Sequence, residues 1–147
     1  MSRVPAAALA CTLFVGGHAC AQSAAQTVRL NAGVHLITAE VAADDPMRQR
    51  GLMFRQTLAA NHGMLFVFEG KDVRCMWMLN TLIPLSVAFI DDDGRIVNIE
   101  DMKPKTEDSH CARAPVRYAL EMTEGWFTQR GLKPGAVIGG ISGAGVK

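Results

Sequence analysis

Short apolar runs separated by turn-forming residues dominate this chain, and most have a period near two rather than near four. Val34-His35-Leu36-Ile37-Thr38-Ala39-Glu40-Val41 is rich in β-branched residues and predicts a strand. Met64-Leu65-Phe66-Val67-Phe68 is uninterrupted, as in a strand covered on both faces. Glu69-Gly70-Lys71-Asp72 reads as a turn, and Val73 to Leu79 as the next strand. Side chains alternate along a strand, so Cys75 and Trp77 should share one face while Arg74, Met76 and Met78 share the other. Pro84 opens a strand through Ile90, Asp91-Asp92-Asp93-Gly94 predicts a hairpin turn, and Arg95 to Met102 returns antiparallel. Val116 to Met122 and Ala136 to Ile138 are the last two strands.

Two short helices interrupt this pattern. Asp45 is placed to cap the first, Pro46 suits its first position, and Gly51 stops it after Arg50. Thr123 is the expected cap of the second, which runs through Trp126, Phe127 and Arg130 to Gly131. The elements together argue for a mainly β fold over residues 34–138, a compact antiparallel β-sandwich or open barrel in a single domain. Residues 22–33 read as a loose lead-in and residues 139–147 as a flexible tail.

Residues 1–21 read as a secretory signal peptide. Arg3 is the positive start, Val4 to Val15 the apolar centre, and Ala19-Cys20-Ala21 the small-x-small cleavage site. The apolar centre is shorter than the ~20 residues a spanning helix needs. An acylated Cys20 is the rival reading, but Gly17 and His18 do not suit a lipoprotein signal. The expected location is periplasmic or secreted, with no membrane span after cleavage. The chain has 147 residues and a formal net charge of +1, which falls to zero when Arg3 leaves with the signal. That balance offers no clustered Lys and Arg for nucleic acid.

Cleavage would leave Cys75 and Cys111 as a lone pair in an oxidising compartment, where a disulfide is the default. A redox pair, a thiolate metal site and two free thiols are the alternatives, and the close C-x-x-C spacing of redox pairs is absent.

Several ordered blocks carry a family resemblance: Arg50-Gly51-Leu52-Met53-Phe54-Arg55, Gly63 to Phe68, Trp77-Met78-Leu79-Asn80-Thr81-Leu82-Ile83-Pro84-Leu85, Ala88 to Asp91, Val116 to Glu121, and Gly125-Trp126-Phe127. Together they resemble the family called domain of unknown function 192 (DUF192). The resemblance implies a compact, mostly β, often exported domain and no established activity. The chain departs from the family at Leu79, where Lys is common, and at Ser86, where Asp is common. A catalytic site built on either charge would be missing here.

The candidate site residues for a ligand or partner are Arg50, Arg55, Trp77, Asn80, Thr81 and Glu121. An Arg can clamp a carboxylate or phosphate. Its plainer role is an ion pair, with Glu121 or an Asp as the expected partner of Arg50 or Arg55. Trp77 can pack in the core or line a pocket, and Asn80-Thr81 can hold a turn or form a polar centre. Glu121 lies in an apolar strand and so needs a partner or solvent. His62, Met64, Cys75, Met76 and Met78 are soft donors that suit Cu(I), although Met on apolar strands is ordinarily core filling. Asp91-Asp92-Asp93-Gly94 has part of a calcium loop without its distal Glu. His110 beside Cys111 would make a nucleophile pair only with a free thiolate. There is no G-x-S-x-G elbow, H-E-x-x-H or phosphate loop.

The leading expectation is a monomeric, non-enzymatic module that binds a small ligand or an envelope protein, with no cofactor and no resident metal. The alternatives are an enzyme with Glu121 or an Asp as base and Arg50 as anion clamp, or a weak Cu(I) binder.

Overall fold

The strictest alternation in the chain, Thr27-Val28-Arg29-Leu30-Asn31-Ala32, lies in the stretch predicted as a loose lead-in and is in fact the first strand. The computed structural model describes residues 26–144, so the signal reading, with Cys11 and Cys20, lies outside the described residues. The elements follow as β1 Thr27–Ala32, β2 His35–Ala42, α1 Asp45–Arg50, β3 His62–Asp72, β4 Cys75–Met76, β5 Leu85–Ile90, β6 Ile96–Met102, β7 His110–Cys111, β8 Val116–Thr123, α2 Trp126–Gln129 and β9 Ile138–Gly139. A short 3-10 turn, Ile141–Ala144, completes them.

Seven strands form one sheet in the order β6-β5-β8-β3-β2-β1-β9, and β4 pairs with β7 in a separate two-stranded ribbon. All pairings are antiparallel except β2 with β3, whose connection carries α1. The sheet curls until its two ends meet. Arg95 bridges Val137, Ile96 N–H donates to the Ala136 carbonyl at 2.8 Å, and Ile138 N–H donates to the Gly94 carbonyl at 2.8 Å. The result is an open barrel, as the sequence predicted.

Alternation along the central strands sends side chains into two cores. Leu65, Val67, Ala88, Ile90, Leu120 and Met122 fill the inside of the curl with Val28, Leu30 and Ile37. Met64, Phe66, Leu85, Val87, Phe89 and Ala119 face outward and would meet water if nothing covered them. The cover is the segment after α1, through Leu52, together with Met76 and Met78 from the β4 region. Met76 and Met78 are buried while Trp77 is exposed, which is the predicted alternation, although β4 itself is only two residues long.

Several local expectations are corrected. Glu69 to Asp72 continues β3 instead of turning. The α1 cap is Asp44, whose carboxylate accepts from Met47 N–H at 2.8 Å, one residue before the predicted Asp45. Thr123 ends β8, and Gly125 precedes α2 with no side-chain cap. Part of the expected flexible tail is structured instead: Gly139 pairs with Asn31, Ile141 packs into the inner core, and Ile141–Ala144 form the 3-10 turn.

At Gly63, β3 and β8 approach too closely for a side chain. A Cβ there would sit 2.3 Å from the Glu121 carbonyl oxygen and 2.4 Å from Met122 Sδ. Gly63→Ala is therefore expected to cost about 2–3 kcal/mol by overpacking, read as a lowered urea midpoint with an unchanged m value.

Candidate functional site

Within the β4–β7 ribbon, β4 forms one wall of a surface groove. Cys75 and Cys111 are directly opposite in its register and are joined by a disulfide. Asn98 on β6 ties the ribbon to the barrel: its amide donates to the Cys111 carbonyl at 3.1 Å, and its side-chain oxygen accepts from Arg113 N–H at 3.0 Å. Between this ribbon and α1 lies a groove of ≈ 450 Å³. Trp77 stands at its edge, half exposed at 51 %, with Phe66 and Met76 below.

Two guanidinium groups sit over Phe68 in this groove, Arg74 at 4.7 Å and Arg48 at 5.9 Å from the ring centroid. They are not equivalent. Arg48 is committed, donating to the carbonyls of Ala43 at 2.5 Å and Val67 at 2.8 Å and pairing with Asp45. Among the described residues the Arg74 side chain makes one hydrogen bond, to the Gly70 carbonyl at 2.9 Å. Its Nε–H is buried with no acceptor, and among the described residues it has no ion pair.

A narrow slot of ≈ 20 Å³ adjoins the groove and shares Arg48, Gln49, Phe66, Met76 and Trp77 with it. Thr81, Arg50 and Glu121 also line the slot. Glu121 belongs to the outward face of β8, between Met64 of β3 and Val87 of β5. It is only 3 % exposed, and burial alone pushes its carboxyl up to about 8, because removing a carboxylate from water disfavours the charge. Among the described residues it has no ion pair, so nothing offsets the burial that favours the protonated acid.

The six predicted site residues divide into two groups. Arg50, Trp77, Thr81 and Glu121 meet at the slot, and Asn80 and Arg55 do not. Asn80 is exposed at φ 55, and its carbonyl accepts from Phe54 N–H at 2.9 Å, so it holds a turn. Phe54 is itself at φ 63, strained for a bulky side chain, and this bond joins the loop after α1 to the loop after Trp77. Arg55 clamps Glu40 on β2 with two bonds of 2.6 Å, so the expected ion pair with Glu121 or an Asp is replaced by one with Glu40. Arg55→Ala is expected to cost under about 1 kcal/mol, less at high salt, because the pair is partly exposed. Denaturant midpoints at low and high salt would check this.

Arg74, Phe68 and Arg48 escaped sequence reading. The one available signal was the alternation that separates Arg74 from Cys75.

The soft-donor set does not assemble as an open metal site. Cys75 is consumed by the disulfide, His62 is exposed, and Met64, Met76 and Met78 are buried in the outer core. The disulfide likewise removes the thiolate that a His110–Cys111 pair would need. Asp91 spends one carboxylate oxygen on its own turn, accepting from Asp93 N–H at 3.0 Å and Arg95 N–H at 2.9 Å. Ser86 is a structural strut: its hydroxyl donates to Asp101 and accepts from Gly125 N–H at 2.8 Å.

A family model, DUF192, described as an uncharacterized ACR, matches residues 26–140. No curated protein matches the chain. A crystal structure of a candidate transcription regulator from Sinorhizobium meliloti 1021 is 39% identical with a TM-score of 0.74, covering 80% of this chain and 95% of that one. A protein of unknown function from Novosphingobium aromaticivorans DSM 12444 is 32% identical with a TM-score of 0.75, covering 80% of this chain and 88% of that one.

Proposed function

This chain belongs to the DUF192 family, which carries no assigned activity, and from its own geometry we propose that it is an exported, monomeric, non-enzymatic module that binds a small organic anion with an apolar or aromatic body. The observation that carries this reading is the Arg74 Nε–H, buried without an acceptor in a groove that also offers Trp77 and Phe68. A shielded guanidinium donor gains most from a charged oxygen, and an aromatic edge suits a flat apolar body. The cross-link between Cys75 and Cys111 supports an extracytoplasmic, periplasmic setting, where disulfides persist. No helix among the described residues is long and apolar enough to cross a membrane.

Calorimetry and thermal shift with benzoate, benzyl alcohol and benzylamine test the proposal. Benzoate should bind and raise Tm more than either analogue. Arg74→Gln should weaken benzoate at least about tenfold, the scale of a charge-assisted hydrogen bond. Equal responses to all three probes, or an unchanged benzoate affinity in the variant, would refute it.

A further inference from the structure

The anion groove uses Arg74 and leaves the Glu121 slot without a role. A buried ionisable group with no partner is costly to keep, since an apolar side chain of similar size would pack there at less cost. The surroundings of Glu121 define what it can do. β3 presents Met64 and Phe66, β5 presents Val87, and the β4 side presents Met76, Trp77 and Thr81, none of which titrates near neutral pH. The charged groups lining the slot are Arg48 and Arg50, both from α1, and Arg48 is already committed to Asp45 and two carbonyls. With Glu121 as the acid, the slot offers its carboxyl proton and the Thr81 hydroxyl, with the exposed Arg50 among the lining residues. Thr81 reaches only a weak acceptor, the Leu79 carbonyl at 3.4 Å. The slot's ≈ 20 Å³ is room for about one water-sized group.

We propose that the Glu121 carboxyl, as the acid, donates a hydrogen bond to a neutral acceptor oxygen at the far end of the ligand held by Arg74. This rests on the anion-groove reading and narrows its ligand class to an organic anion with a carbonyl, ether or hydroxyl oxygen at the tip. A cationic tip is excluded by the same donors, because Arg50 and Arg48 repel it. The bond needs the proton, so recognition of the tip is pH-dependent while capture of the anionic end is not.

The test uses two para-substituted benzoates of matched shape, 4-acetylbenzoate with an acceptor oxygen and 4-isopropylbenzoate without one, plus 4-(aminomethyl)benzoate. Affinities are measured by calorimetry at pH 6 and pH 9.5 on the mature protein and on Glu121→Gln and Glu121→Leu. At pH 6 the acetyl compound should bind about tenfold more tightly than the isopropyl compound, and the ratio should collapse at pH 9.5. Glu121→Gln keeps a donor and should hold the ratio at both pH values, whereas Glu121→Leu should abolish it at both. If the isopropyl compound binds and the acetyl compound binds no more tightly, the groove reading stands and the Glu121 assignment falls. A preference for the aminomethyl compound that grows with pH would make the slot a cation site and overturn the assignment. If none of the three binds, the groove reading fails and this inference fails with it.

Discussion

Glu121→Gln is expected to make the protein more stable than the native chain at pH 9 by as much as about 5 kcal/mol, while the two are nearly equal at pH 4. The folded chain holds this carboxyl proton up to about pH 8, whereas the ordinary value, which applies to the unfolded chain, is 4.5. Between those values the folded state keeps a proton that the unfolded state has released, so native stability falls as pH rises. Below 4.5 both states are protonated and above 8 neither is, so the loss is confined to that window. Each unit of the interval is worth ~1.4 kcal/mol, which sets the upper size of the effect. Gln has nearly the same shape and cannot ionise, so subtracting its pH profile removes every other titrating group. Urea unfolding of both proteins across pH 4–9 provides the measurement. Parallel profiles would show that the carboxyl titrates as an ordinary surface acid.

Removing the cross-link by Cys75→Ala with Cys111→Ala is expected to lower stability by about 4 kcal/mol, given a sequence separation of 36 residues. The loss should also have a place. The ribbon is two residues per strand and would be marginal without its covalent tie and the Asn98 bonds. Trp77 directly follows the ribbon, so its fluorescence should respond before global unfolding. Urea titration read by fluorescence and by far-ultraviolet circular dichroism distinguishes the cases. Coincident transitions at the native midpoint would mean the ribbon holds without the bridge.

Most strands could be read from the sequence because alternation and β-branching are local properties. Two were missed: the two-residue His110–Cys111, too short to carry a period, and Thr27–Ala32, which had perfect alternation but few apolar residues and prominent polar ones, so pattern lost to composition. The parallel pairing of β2 with β3 could not be read, since nothing local distinguishes a strand's neighbours. At the site, Glu121 stood out because a carboxylate inside an apolar run must be explained by something distant. Its meeting with Thr81 and Arg50 depends on how two loops fold over the outer core. Arg55 was misassigned because its partner Glu40 lies on β2, across α1 in the chain, and the alternation of that strand did not mark it as a partner. Neither letter pattern nor propensity would place Phe54 at positive φ, where its N–H donates to the Asn80 carbonyl.

The seam where Gly94, Arg95 and Ile96 meet residues 135–138 has a bearing on how the molecule behaves in a crowded compartment. A curled sheet with free borders offers unpaired amides on which other copies can template themselves. Here the two borders partly occupy each other. Gly94 permits this because a side chain would strike the Ile138 carbonyl at 2.7 Å. A bulkier residue at that one position would unfasten the seam and leave two sticky margins where the native borders hold each other in part.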